Sequence, residues 1–153
     1  MDGIGGVILG TLLYGTAKVL GYCWWCSVGL GWLRPDLGAE ALRRRSWELG
    51  ITRLLIGFGG GIPMAALHAM VLELTGVQAL AYLLVYVPIR WFEWGLIVPL
   101  MPAGKLSWGQ LWRGQHRTER RWRLIGIAVS CALDVVFLLG VLNGIRGMGR
   151  IFC

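Results

Sequence analysis

Four ionisable residues lie inside long apolar runs: Lys18, Arg90, Glu93 and Asp134. Ionised groups in a hydrocarbon setting are costly, so they normally face a bundle interior and pair. Counting about 1.5 Å per residue from the start of each apolar run brings Lys18, Arg90 and Asp134 near one depth. Glu93 lies one helical turn from Arg90 on the same face. Two chemistries fit such a set. It could bind a substrate, ion or proton, or it could be a structural network that fixes helix register. Two positive and two negative charges balance, which weakens the case for an external ligand.

A second set surrounds a break in an apolar run. Gly59, Gly60 and Gly61 are followed by Pro63, and His68 and Glu73 come after them. Such a break can bare backbone carbonyls to an ion or substrate. Gly57-x-x-x-Gly61, with Ala65, Ala66 and Ala69, also suits close helix packing, which is the favoured reading. His68 reads as a hydrogen-bonded core or interfacial histidine, and Glu73 as a solvated residue near the boundary.

The third set is Cys23-Trp24-Trp25-Cys26, a C-x-x-C spacing compatible with thiol redox chemistry. No metal site is expected, because neither histidine lies near these thiols and zinc would need further ligands. No cofactor is expected. The Walker A, dinucleotide, H-E-x-x-H and G-x-S-x-G patterns are absent, so no catalytic residue is assigned.

The elements that must position these residues follow from composition. Of the 153 residues, 56% are hydrophobic and 15% charged, with mean hydropathy +0.63. An ordinary soluble domain carries about a quarter charged residues. Crossing a bilayer core takes about 20 apolar residues in a helix. Four runs qualify, at about 4–22, 54–74, 77–101 and 124–142. The fold expected is all-α: one polytopic membrane domain over 1–153, a helical bundle of four transmembrane helices. Trp24, Trp25 and Trp32 fit an interfacial aromatic belt. Thr75-Gly76 is a tight turn, and Pro88 and Pro99 should kink the third span.

The net charge of +7 collects in two connections. One holds Arg34, Arg43, Arg44, Arg45 and Arg53; the other holds Lys105, Arg113, Arg117, Arg120, Arg121 and Arg123. The second connection, Ala103–Arg123, reads as a basic interfacial helix between spans 3 and 4, with Trp108, Leu111, Trp112 and Trp122 as its apolar stripe. Anionic lipid headgroups are the expected partner of this charge, and nucleic acid is not. The positive-inside rule places both connections in the cytoplasm and both termini outside. No cleaved signal peptide is expected.

The functional reading is an integral membrane protein of a bacterial-type inner or plasma membrane. It is non-enzymatic, and handles a small solute or ion or serves as a subunit of a membrane assembly. Its G-x-x-x-G faces permit a homo-oligomer. The alternative is a membrane enzyme, acting by thiol–quinone redox at Cys23 and Cys26 or on lipid headgroups at the basic face. The compartment argues against redox, since both thiols fall on the reducing side.

Overall fold

The computed structural model describes residues 4–101, 113, 114 and 116–142. All elements among them are helical. They are α1 (Ile4–Leu33), α2 (Ala39–Thr75), α3 (Gln78–Ile97) with a 3-10 turn at Val98–Leu100, and α4 (Arg117–Leu142). Each helix packs on the next in sequence, and α4 closes back onto α1, giving a four-helix bundle.

The turns explain the order. The α1 helix stops at Arg34-Pro35-Asp36, where Arg34 grips Asp36 with two side-chain hydrogen bonds of 2.8 and 2.6 Å. Pro35 suits such a stop, because it offers no N–H to a continuing helix. The α2 helix ends at Gly76, whose φ of 65° is the left-handed conformation that glycine adopts without strain. Its N–H caps the Leu72 carbonyl at 2.8 Å.

Three boundaries differ from the hydropathy reading. The α1 helix runs past the expected end near 22 to Leu33. The α2 helix begins at Ala39, so Arg43–Arg53 is helical and continuous with the apolar run. Basic residues other than histidine are good helix formers, and nothing in that stretch breaks the backbone. Likewise Arg117–Arg123 forms the first turns of α4, whereas the sequence reading gave it to the basic connection. The remainder of the expected interfacial helix, including Trp108 and Trp112, lies outside the described residues, as do both chain ends.

Pro63 sits inside α2, and the arms Ala39–Gly61 and Pro63–Thr75 meet at 54°. Proline removes one helical hydrogen bond and crowds the carbonyl a turn back, which bends a helix. The α3 helix runs through Pro88, and Pro99 instead falls in the 3-10 turn at its end.

The packed core is aromatic and lies toward the end of the bundle that carries the α1–α2 turn. Tyr22, Trp25, Cys26, Leu30, Leu49, Trp94, Ile97, Met101, Trp122 and Ile127 form it. Trp25 donates from its indole nitrogen to the Trp122 carbonyl, and Trp122 donates to the Trp25 carbonyl, each at 3.1 Å. Glycines let the helices close this tightly. A Cβ on Gly29 would lie 2.2 Å from Trp122 Nε1, and one on Gly50 would lie 2.7 Å from the Cys23 backbone nitrogen. Trp25 is therefore a core residue at 4% exposure and not part of the expected belt, while Trp24 and Trp32 face outward. Trp122, assigned from sequence to an interfacial stripe, is also fully buried.

The outer surface is apolar. Leu12, Leu13 and Leu20 of α1, Leu55 and Phe58 of α2, Leu83 and Leu84 of α3, and Leu124 and Val135 of α4 are all exposed. Among the described residues, one helix (Gln78–Leu100) is long and apolar enough to cross a membrane, and the two arms of α2 qualify together.

Candidate functional site

The inward faces of the same helices carry the charges. Asp134 on α4 is the hub. Its Oδ1 accepts from the Tyr14 hydroxyl at 2.6 Å and lies 3.0 Å from Lys18 Nζ, both on α1. Its Oδ2 accepts from the Tyr82 hydroxyl at 2.9 Å and from the Arg90 guanidinium, both on α3. A carboxylate has about four lone-pair sites, so four donors saturate it. Arg90 also donates to the Tyr82 oxygen at 2.7 Å and to Cys131 Sγ at 2.9 Å. Aromatic rings flank both cations: Tyr14 under Lys18, and Tyr82 and Tyr86 beside Arg90. Such contacts are favourable away from water.

Glu93 does not join this hub. It sits on the same helix as Arg90, but it pairs with Arg53 of α2. The single charge network expected from sequence is therefore two neighbouring ones. Arg53 lies between Tyr22 and Trp94, its guanidinium carbon 5.1 Å from each ring centre. It is 1% exposed, and its Nε has no hydrogen-bond partner.

Sequence reasoning missed Arg53, because it stands one residue before the apolar run and reads as a flanking charge. The available signal was Gly57, one turn on, which keeps space open above it. A Cβ on Gly57 would come within 3.1 Å of the Arg53 guanidinium and 3.7 Å of Glu93 Oε1. One on Gly60 would lie 3.9 Å from the same oxygen. Gly57 and Gly60 thus border the charges. Gly59 has nothing within 4 Å. The closest approaches at glycine are at Gly29 and Gly50, and at Gly126, whose Cβ would lie 2.8 Å from Trp94.

Between the two networks is a cavity of about 20 Å³. Lys18, Tyr22, Arg53, Gly57, Arg90 and Glu93 line it, with Leu54 and Phe58. Three cations meet two carboxylates across the joined networks, Lys18 and Arg90 on Asp134 and Arg53 on Glu93. The charge balance read from sequence gives way to an excess of one positive charge.

Compared with known proteins, the chain matches no family model, no curated relative and no solved structure. The site must be read from its own geometry.

The other predicted residues fall outside it. His68 stacks on Tyr86, ring centres 5.6 Å apart, which joins it to the rim of the Asp134 hub through an aromatic contact. Glu73 is exposed on the far arm of α2. Cys23 and Cys26 are free thiols, and both are buried. Cys26 has no exposed surface, so it lacks the access that thiol exchange requires. Among the described residues, no group of three His, Cys, Asp or Glu is placed to hold a metal ion. A further buried pair, Arg123 on Glu119, lies in the first turns of α4, with Arg123 over the Trp91 ring. Arg53 and Arg123 are thereby withdrawn from the basic surface.

Outside the apolar region, Arg34 holds the Asp36 carboxyl below the usual carboxylate range, chiefly through their hydrogen bonds. Arg43 and Arg44, beside Trp47, line a wide surface depression near the start of α2.

Proposed function

We propose that the chain is a four-span integral membrane protein that handles a small solute or ion at the cavity among Lys18, Arg53, Arg90 and Glu93. One observation carries this reading. All four helices turn large apolar side chains outward and close ionic groups inside. In water that arrangement is unfavourable on both counts, since wide apolar surfaces attract one another and buried charges lose hydration. In a bilayer the apolar surface is solvated by lipid, and intramembrane ionisable groups are usually functional.

The ends of the bundle support an orientation. Arg43, Arg44 and Arg45 begin α2, and Arg117, Arg120 and Arg121 begin α4, at the end shared by the α1–α2 and α3–α4 connections. The positive-inside rule makes this end cytoplasmic, with anionic headgroups beside it, and both termini non-cytoplasmic. The membrane is of the bacterial inner or plasma type. Two experiments test the proposal. The protein should stay with membranes through carbonate extraction, and a C-terminal reporter should read as non-cytoplasmic. Release into carbonate, or a cytoplasmic reporter signal, refutes the four-span reading.

A further inference from the structure

We propose that the cavity is a binding site for a monovalent inorganic anion of halide size, and that Glu93 is its built-in competitor. This rests on the membrane reading above and names the class of ion. Three features carry it. The first is charge. Of the charged residues that line the cavity, three are cations and only Glu93 is an anion. Asp134, which pairs with Lys18 and Arg90 of the lining, is already saturated by four donors. A cation would meet net repulsion here, and an anion net attraction.

The second is an unmet donor. Arg53 is buried to 1% exposure with its Nε unpartnered, although buried polar groups almost always find partners. Tyr22 and Trp94 hold the guanidinium in place, so the donor is fixed before any ligand arrives. The third is size. A cavity of about 20 Å³ is near the smallest that holds a single small occupant, so a monatomic anion fits once Glu93 gives way slightly. Sulfate, phosphate and organic acids are too large.

Glu93 shows how binding would be controlled. One of its oxygens takes the Arg53 guanidinium, and the other lies by Gly57 and Gly60, where no side chain stands. The carboxylate fills the position that an external anion would take on Arg53. The two glycines leave room for it to withdraw. An arriving anion therefore takes the unpartnered Nε and competes with Glu93 for the rest of the Arg53 guanidinium.

The test uses the full-length protein purified in detergent. Thermal unfolding is followed as chloride, bromide or fluoride replaces gluconate at constant ionic strength. A ligand that binds only the folded state raises the midpoint in a saturable way. The midpoint is expected to rise with halide and to be indifferent to sulfate. In Glu93→Gln the competitor's charge is gone, so the apparent affinity should tighten about tenfold or more. Gly57→Ala fills the space beside Arg53 and should abolish the halide response in a folded protein. An unresponsive wild type together with an unresponsive Glu93→Gln overturns the proposal. So does an equal response to sulfate, which marks a general salt effect. Should Glu93→Gln fail to fold, Gly57→Ala decides: a retained halide response refutes the site. Carbonate extraction of the same preparation separates the two readings. A protein that is integral, folded and halide-insensitive overturns the anion site alone.

Discussion

Asp134→Asn is the most informative single change to the ion-pair hub. The carboxylate is 3% exposed and serves two cations and two phenols on separate helices. Asparagine keeps the shape but loses the charge, and its amide nitrogen faces Lys18 or Arg90 as a donor against a donor. Removing one partner of a buried ion pair costs about 3–5 kcal/mol. Because one carboxylate answers two cations, the upper end of that range is expected. Glu93→Gln is the matched comparison. Glu93 answers one cation, its side chain is 12% exposed, and Arg53 keeps both aromatic faces. A hydrogen bond to a charged group contributes about 1.5–3 kcal/mol, so the cost should be smaller by about 2 kcal/mol. Reversible unfolding in mixed micelles, followed by tryptophan fluorescence in gluconate, measures both. Adding Lys18→Met to Asp134→Asn should recover part of the loss, since it removes one stranded cation. If Asp134→Asn costs no more than Glu93→Gln, the argument from shared donors is wrong.

Three further outcomes are expected. Gly29→Ala places a methyl group 2.2 Å from Trp122 Nε1 and should destabilise the bundle by about 1–3 kcal/mol through overpacking, read in the same unfolding assay. Cys26, with no exposed surface, should resist alkylation in the folded protein and react only after denaturation, as read by mass spectrometry of the labelled chain. Asp36 has a folded-state pKa below its unfolded value, so its contribution is present at neutral pH and lost as pH falls through the folded value. Asp36→Asn should lower stability slightly above pH 6, a surface pair being weak, and leave stability at the acid end nearly unchanged, read as the pH dependence of the unfolding midpoint.

The helices and their tight turn at Gly76 were legible in the sequence, because long apolar runs and an isolated glycine are strong local signals. The starts of α2 and α4 were not. Hydropathy stops at the first charge, while the backbone of Ala39–Arg53 and Arg117–Arg123 has no reason to stop there. This error hid Arg53, and with it the surplus charge. The grouping of Lys18, Arg90 and Asp134 followed from depth alone. Their phenolic partners Tyr14 and Tyr82 did not, because an apolar run tolerates a tyrosine without comment. Trp24 and Trp25 show the same limit. Adjacent residues on a helix point about 100° apart, so two neighbouring tryptophans cannot share one surface. One is exposed and the other part of the core.

The break at Pro63 divides the bundle mechanically. On one side, α1 and α4 are pinned back to back by Trp25 and Trp122. On the other, the arm Pro63–Thr75 contributes no residue to the packed aromatic core among the described residues. It touches α3 through His68 and Tyr86. The bend falls between Gly61 and Pro63, just past Gly60, which borders Glu93. One helix thus serves both ends of the bundle, its first arm giving Leu49 to the aromatic core and its second resting on Tyr86.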